Sequence, residues 1–114
     1  MSRAYILEVM TQRVPVKDLA RIMTARFHWE EGATGMLNGI VFFIGEGWLS
    51  GGQSESEAHR QISAAIKLEF PGALVATKWT YIEQLPSTVY GDDFNDAPVR
   101  QHSELMKGGA NNNG

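Results

Sequence analysis

The run Ile40-Val41-Phe42-Phe43-Ile44 constrains the fold of this chain more than any other stretch. Five consecutive apolar side chains between Gly39 and Gly45 are strand-sized, and a strand sends successive side chains to opposite faces. Both faces of this strand are therefore apolar. It is expected to be central in a sheet and covered on both sides.

The flanking segments supply the cover. Ala4 to Met10 reads as a strand, with Tyr5, Leu7 and Val9 on one side and Ala4, Ile6, Glu8 and Met10 on the other. Pro15 suits the first turn of a helix, where its missing N–H costs nothing. Val16, Leu19, Ala20, Met23 and Phe27 then recur at helical spacing, which predicts a helix ending near His28. Residues 29–38 are broken by Gly32 and Gly35, and at most a short strand is expected there. Gly45-Glu46-Gly47 reads as a hairpin returning through Trp48-Leu49-Ser50. Ser54 and Glu57 form a capping box, and the helix it opens carries Ala58, Ile62, Ala65 and Ile66 on one face and stops before Pro71-Gly72. Ala73 to Glu83 alternates Val75, Thr77, Trp79 and Tyr81 against Leu74, Ala76, Lys78, Thr80 and Ile82.

The expected order is β-α-(β)-β-β-α-β. This predicts an α+β fold of ferredoxin-like βαββαβ type, an antiparallel sheet with two helices on one face. With 114 residues, the reading is one α+β domain over 1–90 and a polar, flexible tail over 91–114. The formal charge of −3 is concentrated in that tail, where four acids face Arg100 and Lys107. The near-neutral body leaves no general polyanion-binding field. There is no cysteine, so disulfides, thiol nucleophiles and thiolate metal sites are excluded. With no apolar leader and no membrane-length run, a cytoplasmic location and no membrane partner are expected.

Motifs for chemistry are incomplete. Gly47 to Ser54 matches a phosphate-binding loop except that Gln53 stands where the lysine belongs, so it reads as a glycine-rich turn into a capped helix. His28, His59 and His102 are too far apart to suggest a metal pair, and His59 is expected to be a partly buried, hydrogen-bonded residue on the second helix. Asp92, Asp93, Asn95 and Asp96 have the composition of a calcium loop without its spacing. No catalytic residue, metal or cofactor is assigned.

The positive signal is aromatic. If the helices cover one sheet face, the other is expected to expose large apolar groups, and Tyr5, Phe43, Trp48, Trp79 and Tyr81 form the candidate interaction face. A second copy stacking on it, giving a homodimer, is the leading reading. A fold-back of Leu85 and the 84–100 segment is the second. Stacking of single-stranded nucleic-acid bases is the third, disfavoured by the acidic balance. Arg13, Lys17 and Arg21 form a candidate basic patch on the first helix. The resulting expectation is a non-catalytic binding protein acting through protein–protein contacts. An enzyme with a pocket at a dimeric sheet interface, recruiting His59, Tyr81 or Glu83, is the alternative.

Overall fold

The computed structural model describes residues 2–83 and 86–92. The elements are β1 (Ser2–Gln12), α1 (Val16–Arg21), β2 (Glu30–Leu37), β3 (Ile40–Ser50), α2 (Glu55–Glu69), β4 (Leu74–Tyr81) and β5 (Thr88–Gly91). The fold is mixed α+β: one five-stranded antiparallel sheet, ordered β2-β3-β1-β4-β5, with two helices.

The helices form where the sequence places them. Pro15 opens α1, and its carbonyl accepts from the N–H groups of Asp18 and Leu19. From Ile22 to Arg26 the helix continues with π geometry, and Met23 O then takes the Trp29 N–H at 2.9 Å. His28, at φ +63°, reverses the chain there and turns Trp29 inward, where it is buried. Ser54 Oγ accepts from Glu57 N–H at 3.1 Å and starts α2.

Both helices press on the same face of the sheet. Leu19, Ile22 and Met23 from the first and Ala58, Ile62 and Ile66 from the second join Tyr5, Leu7, Val9, Val41, Phe43, Leu49, Val75 and Trp79 in one buried cluster. Tyr5 stands edge-on to Trp79 with ring centroids 5.7 Å apart, and Trp29 meets Trp79 at the same separation. The core is thus an aromatic stack beneath two helices.

Three expectations are corrected. Gly45-Glu46-Gly47 is not a hairpin: β3 runs through it as a single strand to Ser50. The hairpin is at Asn38-Gly39, where both residues have positive φ (51° and 81°), the two-residue turn whose twist matches antiparallel strands. The glycines of β3 serve close approach instead. A Cβ on Gly47 would stand 2.6 Å from the Trp29 ring, so the indole lies where a side chain would otherwise be. Residues 29–38 hold a full strand, masked in the sequence by Gly32 and Gly35, with a register shift between Glu31 and Ala33.

The last correction concerns the far edge. The expected four-stranded βαββαβ order is not matched: a fifth strand, β5, pairs with β4 from Ala76–Gly91 to Trp79–Thr88. Asp92, placed with the tail by the sequence, is fastened to the domain: its carboxylate accepts from Val75 N–H at 2.9 Å and meets Lys67 Nζ at 2.8 Å. Among the described residues no helix is long and apolar enough to cross a membrane.

Candidate functional site

Residues opposite one another in antiparallel strands share a face, so the strand registers define the surface that the helices leave open. Reading from β2 to β5, one row is Gly35, Phe42, Met10, Ala76 and Gly91. The next is Ala33, Ile44, Glu8, Lys78 and Val89. The third is Glu30, Glu46, Ile6 and Thr80. Beyond it Trp48 faces Ala4, whose carbonyl accepts the Ile82 N–H. At the opposite end Leu37 faces Ile40, and Gln12 faces Leu74.

This open face is apolar at both ends and charged in the middle. Of the seven large hydrophobic residues exposed among the described ones, Ile6, Leu37, Trp48, Ile82 and Val89 lie on it. Trp48 is 69% exposed, Val89 55% and Ile82 51%. Ile40 and Ala76 are covered by Met10 and Leu74, which makes a small second cluster on this side. Across the middle row Lys78 Nζ reaches Glu8 Oε2 at 3.7 Å, a loose pair with each side chain about one-third exposed.

Four of the five residues expected on an interaction face lie on the other side. Tyr5, Phe43 and Trp79 are buried in the core, and half-buried Tyr81 packs on Tyr5 at 5.4 Å, so they are core residues beneath the helices. Trp48 alone is on the open face. The reason is parity: Tyr5, Phe43, Trp79 and Tyr81 are in phase across paired strands, and their side is the one on which α1 and α2 dock. The base-stacking platform loses these aromatics, and the face that remains carries Glu8, Glu30 and Glu46 against Lys78. The signal that finds the open face is the companion set Ile6, Phe42, Ile44 and Ile82, less aromatic but strongly apolar.

Polar groups on the helix side are spent structurally. The Tyr5 hydroxyl donates to Glu55 at 2.7 Å, and burial together with that carboxylate pushes its pKa up to about 12. Thr77, fully buried, accepts from Trp79 Nε1–H at 2.8 Å and bonds His59 Nδ1 at 2.8 Å. The indole can only donate, so Thr77 Oγ1 accepts there, and the bond to the imidazole is made by the Thr77 proton or by the Nδ1 proton according to the ring's tautomer. The Tyr90 ring stacks on the imidazole at 5.6 Å. Burial holds His59 below its ordinary value, reinforced by Lys67 and Arg60 and opposed by Asp92. Burial pushes the Asp92 carboxyl up, but Lys67 and the Val75 N–H outweigh it and hold the carboxyl below its usual range.

The His59 cluster sets a pH dependence. A histidine whose folded pKa is depressed stabilises the fold fully above the unfolded value near 6.5, and that contribution is lost as pH falls through the folded value. Urea unfolding midpoints are expected to drop between pH 7.5 and 5.5 in the parent protein and to stay nearly level in His59→Gln. Equal slopes for the two would remove His59 as the cause.

The basic patch is partly neutralised. Arg21 donates to Asp18 at 3.0 Å and to Glu69 at 2.6 Å, tying α1 to α2, and its guanidinium holds Glu69 below its usual range. Arg13 and Lys17 remain exposed. The loop-like string from Gly47 to Ser54 is the end of β3, a turn and the α2 cap. Among the described residues no three His, Asp or Glu side chains gather as metal ligands. Of the acidic set only Asp92 is described, and Asp93, Asn95 and Asp96 lie outside the described residues. So do Leu85 and most of the 84–100 segment, whereas Thr88–Gly91 extends the sheet edge as β5. His59 and Tyr81 lie on the helix side, away from the open face. Comparison with protein-family models, with curated proteins and with solved structures finds no match for this chain.

Proposed function

We propose that the protein acts by binding, as a homodimer or assembly component, through the open face of its sheet. The observation that carries this reading is the placement of Ile6, Leu37, Trp48, Ile82 and Val89 together on the one face that the helices leave bare. Phe42 and Ile44 add to it, each only half-buried. Burying such a surface removes apolar area from water at about 25 cal/mol per Å². A partner protein supplies that cover. A single-stranded nucleic acid is a poorer fit, since three acids and one base repel a phosphate chain. The absence of cysteine suits a reducing, cytoplasmic compartment.

The scaffold reading goes with it. We take the first four strands and both helices as a ferredoxin-like unit extended by β5. The support is that β1 lies between β3 and β4, antiparallel to both, with β2 outside β3. In that arrangement the face opposite the helices is the natural assembly surface.

Sedimentation at tens of micromolar is the test. The parent protein is expected to exceed the mass of one chain. The double variant Ile6→Lys/Ile82→Lys is expected to sediment as one chain with unchanged far-ultraviolet circular dichroism, because both positions reach solvent in the monomer. A parent protein that stays at one chain mass overturns the proposal, as does a lysine variant that still associates.

A further inference from the structure

The open face is complementary to itself, and we propose that its occupant is a second copy of this chain, stacked face to face about a two-fold axis that runs along the strands between β1 and β4. This rests on the assembly reading above and specifies its partner and geometry. Each Glu8 then lies over the partner's Lys78.

The rows of the sheet select this axis. A two-fold axis lying in the interface and parallel to the strands exchanges columns and keeps rows. Placed between β1 and β4, it sets Met10 over the partner's Ala76 and Phe42 over the partner's Gly91, large against small in the same row. Ile44 meets the partner's Val89, Ile6 the partner's Thr80, and Ala4 the partner's Ile82. At Met10, Phe42 and Ile82 the bulk of one copy falls where the other is thin, which is how aligned sheets pack at about 10 Å.

Charge excludes the neighbouring choices. An axis through β1 sets Glu8 on the partner's Glu8 and leaves Lys78 against the partner's Ile44. An axis across the strands through the middle row sets Glu8 on Glu8 and Lys78 on Lys78. Only between β1 and β4 do the two Glu8 and the two Lys78 side chains alternate in sign around the axis. The 3.7 Å separation within one chain is long for a closed ion pair, and the one-third exposure leaves each group able to take a second partner. Opposed rows of this kind fix register and reject wrong pairings.

The area is adequate. Strand and residue spacings make the open face on the order of 600 Å² in projection. Only β3, β1, β4 and β5 overlap about this axis, four-fifths of that width, so two copies would bury about 1,000 Å², the threshold for a specific interface.

Mixing Glu8→Lys with Lys78→Glu tests the geometry. Each variant alone places like charges across the axis, and its homodimer is expected to weaken about tenfold or more. Mixed in equal amounts, the two variants restore opposite charges across the axis. Native mass spectrometry with one variant isotope-labelled is then expected to show the mixed dimer dominating both homodimers. Circular dichroism and melting of each variant show that it folds, and the single neutralisations Glu8→Gln and Lys78→Gln, which on mixing form one Lys78–Glu8 pair across the axis instead of two, are expected to show the same preference more weakly. A dimeric parent whose charge variants dimerise unchanged, or mix without preference, overturns this axis and leaves the assembly reading standing. A monomeric parent removes the assembly reading itself, and that result is read before any variant is made.

Discussion

Trp79→Ala is expected to lower the unfolding free energy by about 4 kcal/mol, the range for deleting a fully buried aromatic side chain. Three losses combine. The indole is 1% exposed at the centre of the core, so its removal opens a cavity that two helices and a sheet cannot jointly close. Its edge contacts with Tyr5 and Trp29 disappear, each worth roughly 0.5–1.5 kcal/mol beyond burial. Its Nε1–H bond to Thr77 Oγ1 goes as well. For a domain whose total stability is on the order of 5–15 kcal/mol this is a large fraction. Thermal unfolding is expected to fall by roughly 20 °C, at about 4–8 °C per kcal/mol. Trp79→Phe keeps most of the ring and is expected to cost less than half as much. If Trp79→Ala melts within a few degrees of the parent, Trp79 is not the centre of the core.

The second large effect is expected from one added methyl group. Gly45→Ala drives a Cβ into the Glu30 carbonyl oxygen and places it 2.6 Å from Phe43 Cε1. The carbonyl belongs to backbone held by β2–β3 pairing beside the register shift, and Phe43 is fully buried, so neither can step aside cheaply. Overpacking of this kind costs typically about 1–3 kcal/mol, and a backbone contact puts this site at the upper end. Gly52→Ala is the control. Nothing lies within 4 Å of its added Cβ, and it is expected to be neutral or slightly stabilising. Urea midpoints for both variants decide the matter; equal values would refute the close approach at Gly45.

Both effects bear on how legible the fold is in the chain. The capping box at Ser54, the proline at the start of α1 and the alternation of β4 are local signals, and local structure follows them. Gly45-Glu46-Gly47 misleads because a glycine pair that admits Trp29 and the Glu30 carbonyl is locally the same as one that turns a hairpin. The true turn, Asn38-Gly39, was obscured by the glycines on either side of it. β5 is four residues long and exists only because β4 offers an unpaired edge, so no property of Thr88–Gly91 alone announces it.

The chain by itself determined that Ile40 to Ile44 needs cover on both faces, and that two amphipathic helices supply it on one. Period-two alternation sorts residues into two sets without saying which set faces inward, because both sets here are apolar. Only the tertiary structure decided that. The helices dock on Tyr5, Phe43 and Trp79, whose aromatic bulk fills the space beneath them, and leave Ile6, Trp48 and Ile82 bare. Among the described residues the requirement for two-sided cover that opened the reading of the sequence is met on one side, and the remaining side is where we place the second copy.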